Sequence, residues 1–151
     1  MANVPAGAGD GARERGDGTL AVGVGEAAVA AGLQMVKLLR DQPGVYQHLE
    51  VVTATLEQGL VSLCREAGVA AQVNRVGSMI TLFFTGEPVT DFASAKRSDT
   101  ARFKRFFHGM LQRGVYLPPS QFEAAFLCSE HSHDLIDQTL SAARATLAEL
   151  G

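Results

Sequence analysis

Long apolar runs are missing from this sequence. None approaches the roughly 18 to 20 residues that a membrane-spanning helix needs, and the start MANVPAGAGDGARERGDG has no apolar core of the kind a signal peptide carries. A cytoplasmic location without a membrane partner is therefore expected. A basic excess is missing too. Thirteen Lys+Arg stand against 16 Asp+Glu, for a formal net charge of −3, and with no basic block or stripe the chain has no electrostatic footprint for nucleic acid. Cysteine is confined to Cys64 and Cys128, far apart and without a CxxC pair. That usage fits a reducing compartment, offers no metal-ligand spacing, and predicts two buried free thiols. Lysine is scarce as well. Lys37 and Lys104 fall on polar helix faces and Lys96 in a loop, so each reads as a solvated charge.

What is present is sorted unevenly along the chain. Residues 1–18 are rich in glycine, and Val4 is their one large aliphatic residue. Such a segment cannot offset its ordering entropy by burial and is expected to be a disordered or non-native tail, with one domain over 19–151. From Glu26 to Arg40, Val29, Leu33 and Val36 share a helical face, and Pro43-Gly44 ends that helix. Leu49, Val52, Leu56, Leu60, Leu63 and Ala67 recur at three- and four-residue steps, a second helix that Gly68 caps. Val69 to Asn74 alternates and Met79 to Phe84 is continuously apolar, two strands joined at Gly77-Ser78. Glu87 to Arg97 carries no pattern and reads as a loop.

Beyond it, Ser98 or Asp99 caps a helix whose Phe103, Phe106, Phe107, Met110 and Leu111 fall on one face, and Gly114 stops it. Val115-Tyr116-Leu117 is expected to be a short strand ended by Pro118-Pro119. A last helix follows from Ile136, Leu140, Ala143, Leu147 and Leu150, with Ser132 as N-cap and Asp134 near its positive end. The sum is an α+β unit of four helices packed on a small antiparallel sheet.

The residue that stands out chemically is Glu123, set between aromatics in Gln121-Phe122-Glu123-Ala124-Ala125-Phe126. A carboxylate there is costly unless something polar faces it; a neighbour such as Arg113 is the structural alternative to a site role. His131-x-His133 flanks the Ser132 cap and has no third ligand at a usual metal spacing apart from the adjacent Asp134. It reads as the turn that starts a helix, so no metal site is expected. His48 and His108 have no recognisable nucleophile partner.

The run RFKRFFHGMLQRGVYLPPSQFEAAF, followed by HSHDLIDQTLSAARATLAEL, resembles the C-terminal end of the glutamate-1-semialdehyde 2,1-aminomutases, class III aminotransferase relatives that use pyridoxal phosphate. Ala30-Ala31-Gly32-Leu33, Pro43-Gly44-Val45-Tyr46 and Val76-Gly77-Ser78-Met79 with Leu82-Phe83-Phe84-Thr85 are similar to family segments in family order. The resemblance implies the small C-terminal domain of a fold type I pyridoxal-phosphate enzyme, a homodimer whose family rearranges glutamate-1-semialdehyde, a small amino acid derivative, to 5-aminolevulinate for tetrapyrrole synthesis. It also implies that Glu123 lines the active site. Gly18 and Thr19, in Gly18-Thr19-Leu20, are similar to a segment whose threonine reaches the cofactor phosphate of the partner subunit, although the family's following Ser-Gly-Asn-Pro is replaced here by AVGVGEA.

The Schiff-base lysine that this chemistry requires lies, in the family, upstream of everything the resemblance covers. The isolated chain is accordingly expected to be inactive and not to bind the cofactor stably. Two alternatives stand beside the aminomutase: a domain of another class III aminotransferase, and a non-catalytic truncated product or binding module.

Overall fold

A computed structural model describes residues 25–150, which fall into two units, one ending at Asp41 and one starting at Gln42. The expected tail at 1–18 lies outside the described residues. In the first unit, α1 (Glu26–Asp41) is one helix whose Val29, Leu33, Met35 and Val36 are all more than half exposed. The second unit holds α2 (Gly44–Glu66), β1 (Gln72–Val76), β2 (Met79–Phe83), α3 (Phe92–Ala95), α4 (Thr100–Gln112), β3 (Ala125–Phe126) and α5 (His133–Ala148). Its three strands form an antiparallel sheet in the order β1-β2-β3.

The apolar spacing read from the sequence becomes the core of the second unit. Val52, Leu56, Leu60 and Leu63 of α2, Phe103, Phe106 and Met110 of α4, and Ile136, Ala143 and Leu147 of α5 are buried together with Ile80, Leu82 and Phe84. Small residues let the helices approach closely. A Cβ on Gly59 would stand 2.5 Å from the Leu140 side chain, and one on Gly109 would stand 2.5 Å from Thr146 Cγ2. Two buried hydroxyls are satisfied within their own helices, Thr53 Oγ1 on the Leu49 carbonyl at 2.6 Å and Thr146 Oγ1 on the Ala142 carbonyl at 2.8 Å. They therefore cost little in an apolar interior.

Helix ends follow the expected chemistry. Gly68 and Gly114 take φ of 66° and 81°, and in each case the next residue's N–H returns to a carbonyl in the last turn: Val69 to Cys64 at 2.9 Å and Val115 to Met110 at 3.0 Å. These are the paired bonds of a left-handed helix stop. Asp99 and Ser132 serve as the N-caps of α4 and α5.

Three expectations are corrected. Val115-Tyr116-Leu117 forms no strand: the Val115 N–H is spent on the helix stop, and Pro118 and Pro119 have none to offer. The third strand lies instead at Ala125–Phe126, paired Met79↔Phe126 and Ile80↔Ala125. The unpatterned stretch 87–97 contains a fifth helix, α3, too short for an apolar period but held by a capping box between Asp91 and Ser94. Cys64 is buried as expected, its thiol pushed up to about 11 by burial, whereas Cys128 is exposed beyond the end of β3.

Candidate functional site

Glu123 sits on the arm between the α4 stop and β3. Two prolines deliver the chain to Ser120, whose carbonyl accepts from the Glu123 N–H at 3.2 Å and whose hydroxyl accepts from the Phe122 N–H at 3.2 Å. Gln121 turns inward and is 3% exposed, donating from Nε2 to the Leu82 carbonyl at 2.7 Å. Thr81 Oγ1 reaches the Glu123 carbonyl at 3.5 Å, at the limit of a hydrogen bond. The arm thus lies along β2, with Gln121 inside and Glu123 outside.

Below Glu123 is a cavity of about 60 Å³, lined mainly by apolar side chains that include Leu60, Ile80, Phe103 and Met110, with Glu123 among its walls. The carboxylate is exposed and has no hydrogen-bond or ion-pair partner among the described residues. Some surface carboxylates are engaged, Glu50 and Glu57 on Arg75 at 2.8 and 2.7 Å and Glu66 on Arg144 at 2.7 Å, whereas Glu130, Asp134 and Asp137 are exposed and, like Glu123, have no partner among the described residues. Arg113, the structural alternative for Glu123, pairs with Glu149 instead. Exposure also removes the burial cost that the sequence alone suggested for Glu123.

Beside Glu123, Phe122 meets Phe92 edge to face, ring centroids 5.7 Å apart, and the Lys96 ammonium lies 5.2 Å from the Phe92 ring centre. This aromatic shoulder joins α3 to the arm. Sequence reasoning missed it because α3 itself was missed; the Asp91-x-x-Ser94 spacing was the available signal.

The remaining candidates separate from this site. Gly18 and Thr19 lie outside the described residues. Lys37, Lys96 and Lys104 are exposed and none lines the cavity, so these residues do not fit a complete pyridoxal-phosphate site by themselves, and Glu123 stands as a wall residue without a lysine amine opposite. Three of the four histidines gather elsewhere, and His108 lies on α4. His131 Nδ1 accepts from the Cys128 N–H at 2.9 Å, His48 Nε2 donates to the His131 carbonyl at 3.1 Å, and the His48 and His133 rings meet edge to face at 6.5 Å. They tie the start of α2 to the start of α5, and no group of residues suited to a metal ion occurs among the described residues.

No protein-family model matches the chain. Curated relatives do. The chain is 53% identical over 120 residues to a protein named glutamate-1-semialdehyde 2,1-aminomutase from Thermus thermophilus, covering 80% of this chain and 28% of the relative. It is 54% identical over 124 residues to the one from Myxococcus xanthus, covering 82% and 28%. The chain thus spans a little over a quarter of the length of the relatives it matches. Among solved structures, an omega-transaminase from Sphaerobacter thermophilus aligns with TM-score 0.67 and 22% identity over 82% of this chain and 28% of that one. A glutamate-1-semialdehyde-aminomutase from Pseudomonas aeruginosa aligns with TM-score 0.64 and 22% identity over 72% and 24%. The resemblance read from the sequence and the α+β fold are both shown: the chain is homologous to one segment of these aminomutases and shares its fold with part of the wider aminotransferase group.

Proposed function

We propose that this chain is the C-terminal domain of a glutamate-1-semialdehyde 2,1-aminomutase and that Glu123 is what it contributes to the wall of the active site. The observation carrying the first part is the identity of about half the aligned residues to proteins of that name. The second part is supported by the exposed carboxylate without an ionic partner at the rim of an apolar cavity. A carboxylate so placed can orient a substrate amine or hold and release a proton beside it.

The complete enzyme, in this reading, acts on glutamate-1-semialdehyde with pyridoxal phosphate as its cofactor, which supplies the electron sink for moving the amino group. It works in the cytoplasm as a homodimer, a compartment that suits the free thiols Cys64 and Cys128. Thr19 and Gly18 are proposed to face the cofactor phosphate of the partner subunit, from the resemblance alone.

The test compares a full-length aminomutase carrying this segment with the 151-residue chain. The first is expected to convert glutamate-1-semialdehyde to 5-aminolevulinate. The second is expected to show neither turnover nor a stoichiometric cofactor absorbance, since none of its lysines lines the cavity. Transfer of the amino group to a separate acceptor by the full-length protein would favour the other aminotransferase reading. A stable one-to-one cofactor adduct on a single lysine of the short chain would overturn the division of labour.

A further inference from the structure

We infer that Gln121 is the residue that positions Glu123, acting as a side-chain substitute for the strand that β2 lacks beyond Ile80; its catalytic meaning rests on the reading of Glu123 given above. The ladder between β2 and β3 covers only Met79↔Phe126 and Ile80↔Ala125. Two residues further along β2, the Leu82 carbonyl faces the same edge with no β3 backbone opposite, and it accepts the Gln121 amide at 2.7 Å. Glu123 is therefore held at both ends of a short bow. Ala125, two residues after it, is fastened to Ile80, and Gln121, two residues before it, is fastened to Leu82. Among the described residues, the hydrogen bond between the crown and β2 is that of Thr81 Oγ1 to the Glu123 carbonyl at 3.5 Å.

The arrangement asks for glutamine in particular. The position is almost fully buried, so an apolar side chain would fit it but would leave the Leu82 carbonyl without its donor. A glutamate at neutral pH would offer that carbonyl only acceptors. A staple on one side of Glu123 narrows the positions its carboxylate visits, and misplacement of a reacting group by about 1 Å can cost on the order of 10²-fold in rate.

Two measurements test this. In the 151-residue chain, Gln121→Met should speed amide hydrogen exchange at Phe122 and Glu123 by about 5- to 10-fold, the factor one neutral hydrogen bond typically holds. Amides of the β1–β2 hairpin and of α5 should keep their rates. Unchanged exchange at Phe122 and Glu123, or the same acceleration everywhere, overturns the staple. If Gln121→Met does not fold, Gln121→Glu, which keeps the length of the side chain and removes the donor to the Leu82 carbonyl, should loosen the same two amides; unchanged rates there overturn the proposal equally.

In the full-length enzyme, Gln121→Met should lower kcat with little change in KM, and should cost nothing further in a Glu123→Gln background. Equal losses in both backgrounds would show that Gln121 supports the fold and does not act through Glu123. Should the exchange result appear while Glu123→Gln alone leaves turnover intact, the staple stands and the site role of Glu123 falls.

Discussion

The helical interior and the arm from Pro118 to Phe126 follow opposite rules. In the interior Phe106, Met110, Ile136 and Leu147 are at most 2% exposed, and the buried threonine hydroxyls close back on their own helices. On the arm, Phe122 and Phe126 are 47% and 65% exposed, Glu123 has no ionic partner among the described residues, and the buried Gln121 Oε1 has no hydrogen-bond partner there either. Stability explains the first set of choices and not the second. Of these arm residues Glu123 lines the apolar cavity, and the proposed site role attaches to it.

Substitutions can break that contrast, and the interior should yield the largest effect. Phe106 packs edge to face on Phe84 with ring centroids 5.5 Å apart, and Phe106→Ala should cost about 3 to 5 kcal/mol by lost burial and an unfilled cavity. Chemical denaturation of the 151-residue chain would read this directly; a loss under about 1 kcal/mol would mean that the arm and the interior do not differ as described. A smaller effect is expected at Gly109, where an added Cβ would meet Thr146 Cγ2 at 2.5 Å. Overpacking there costs about 1 to 3 kcal/mol, and alanine regains about 1 kcal/mol of helix propensity. Gly109→Ala should therefore lower stability by no more than about 2 kcal/mol, and a stabilised variant would show that α4 and α5 are not in contact at this point.

The same contrast explains what was legible in the sequence. Periodicity announced α1, α2, α4 and α5, and the glycine stops and the Ser132 cap were readable, because these features are set by residues within a few positions of one another. The features of the arm and of the α4 end before it are set at long range. Gln121 finds Leu82 across 39 positions, Arg113 finds Glu149 across 36, and no local pattern marks either choice. Glu123 drew attention for a burial cost it does not incur; its remaining signal is the resemblance carried by PPSQFEAAF, and the relatives uphold the likeness of the segment as a whole. Cys128 failed for a related reason. Cysteine is usually buried, but this one follows a two-residue strand at the edge of the sheet, where the chain has already left the core.

The smallest expected effect on stability belongs to Glu123, and there the largest effect on turnover should appear. In a full-length aminomutase carrying this segment, Glu123→Gln keeps the shape and removes the charge. It should lower turnover by on the order of 10²-fold, the lower range for a positioned acid or base, with the melting temperature unchanged. Arg113→Gln, which breaks the half-exposed pair with Glu149 and the hydrogen bond from Arg113 Nη1 to the Gly109 carbonyl at 3.0 Å, should shift stability by about 1 kcal/mol and leave turnover intact. Steady-state rates and melting temperatures of these two variants, measured side by side, test the account most directly: a rate loss confined to Glu123→Gln is the predicted result, and equal, small effects of both substitutions would contradict it.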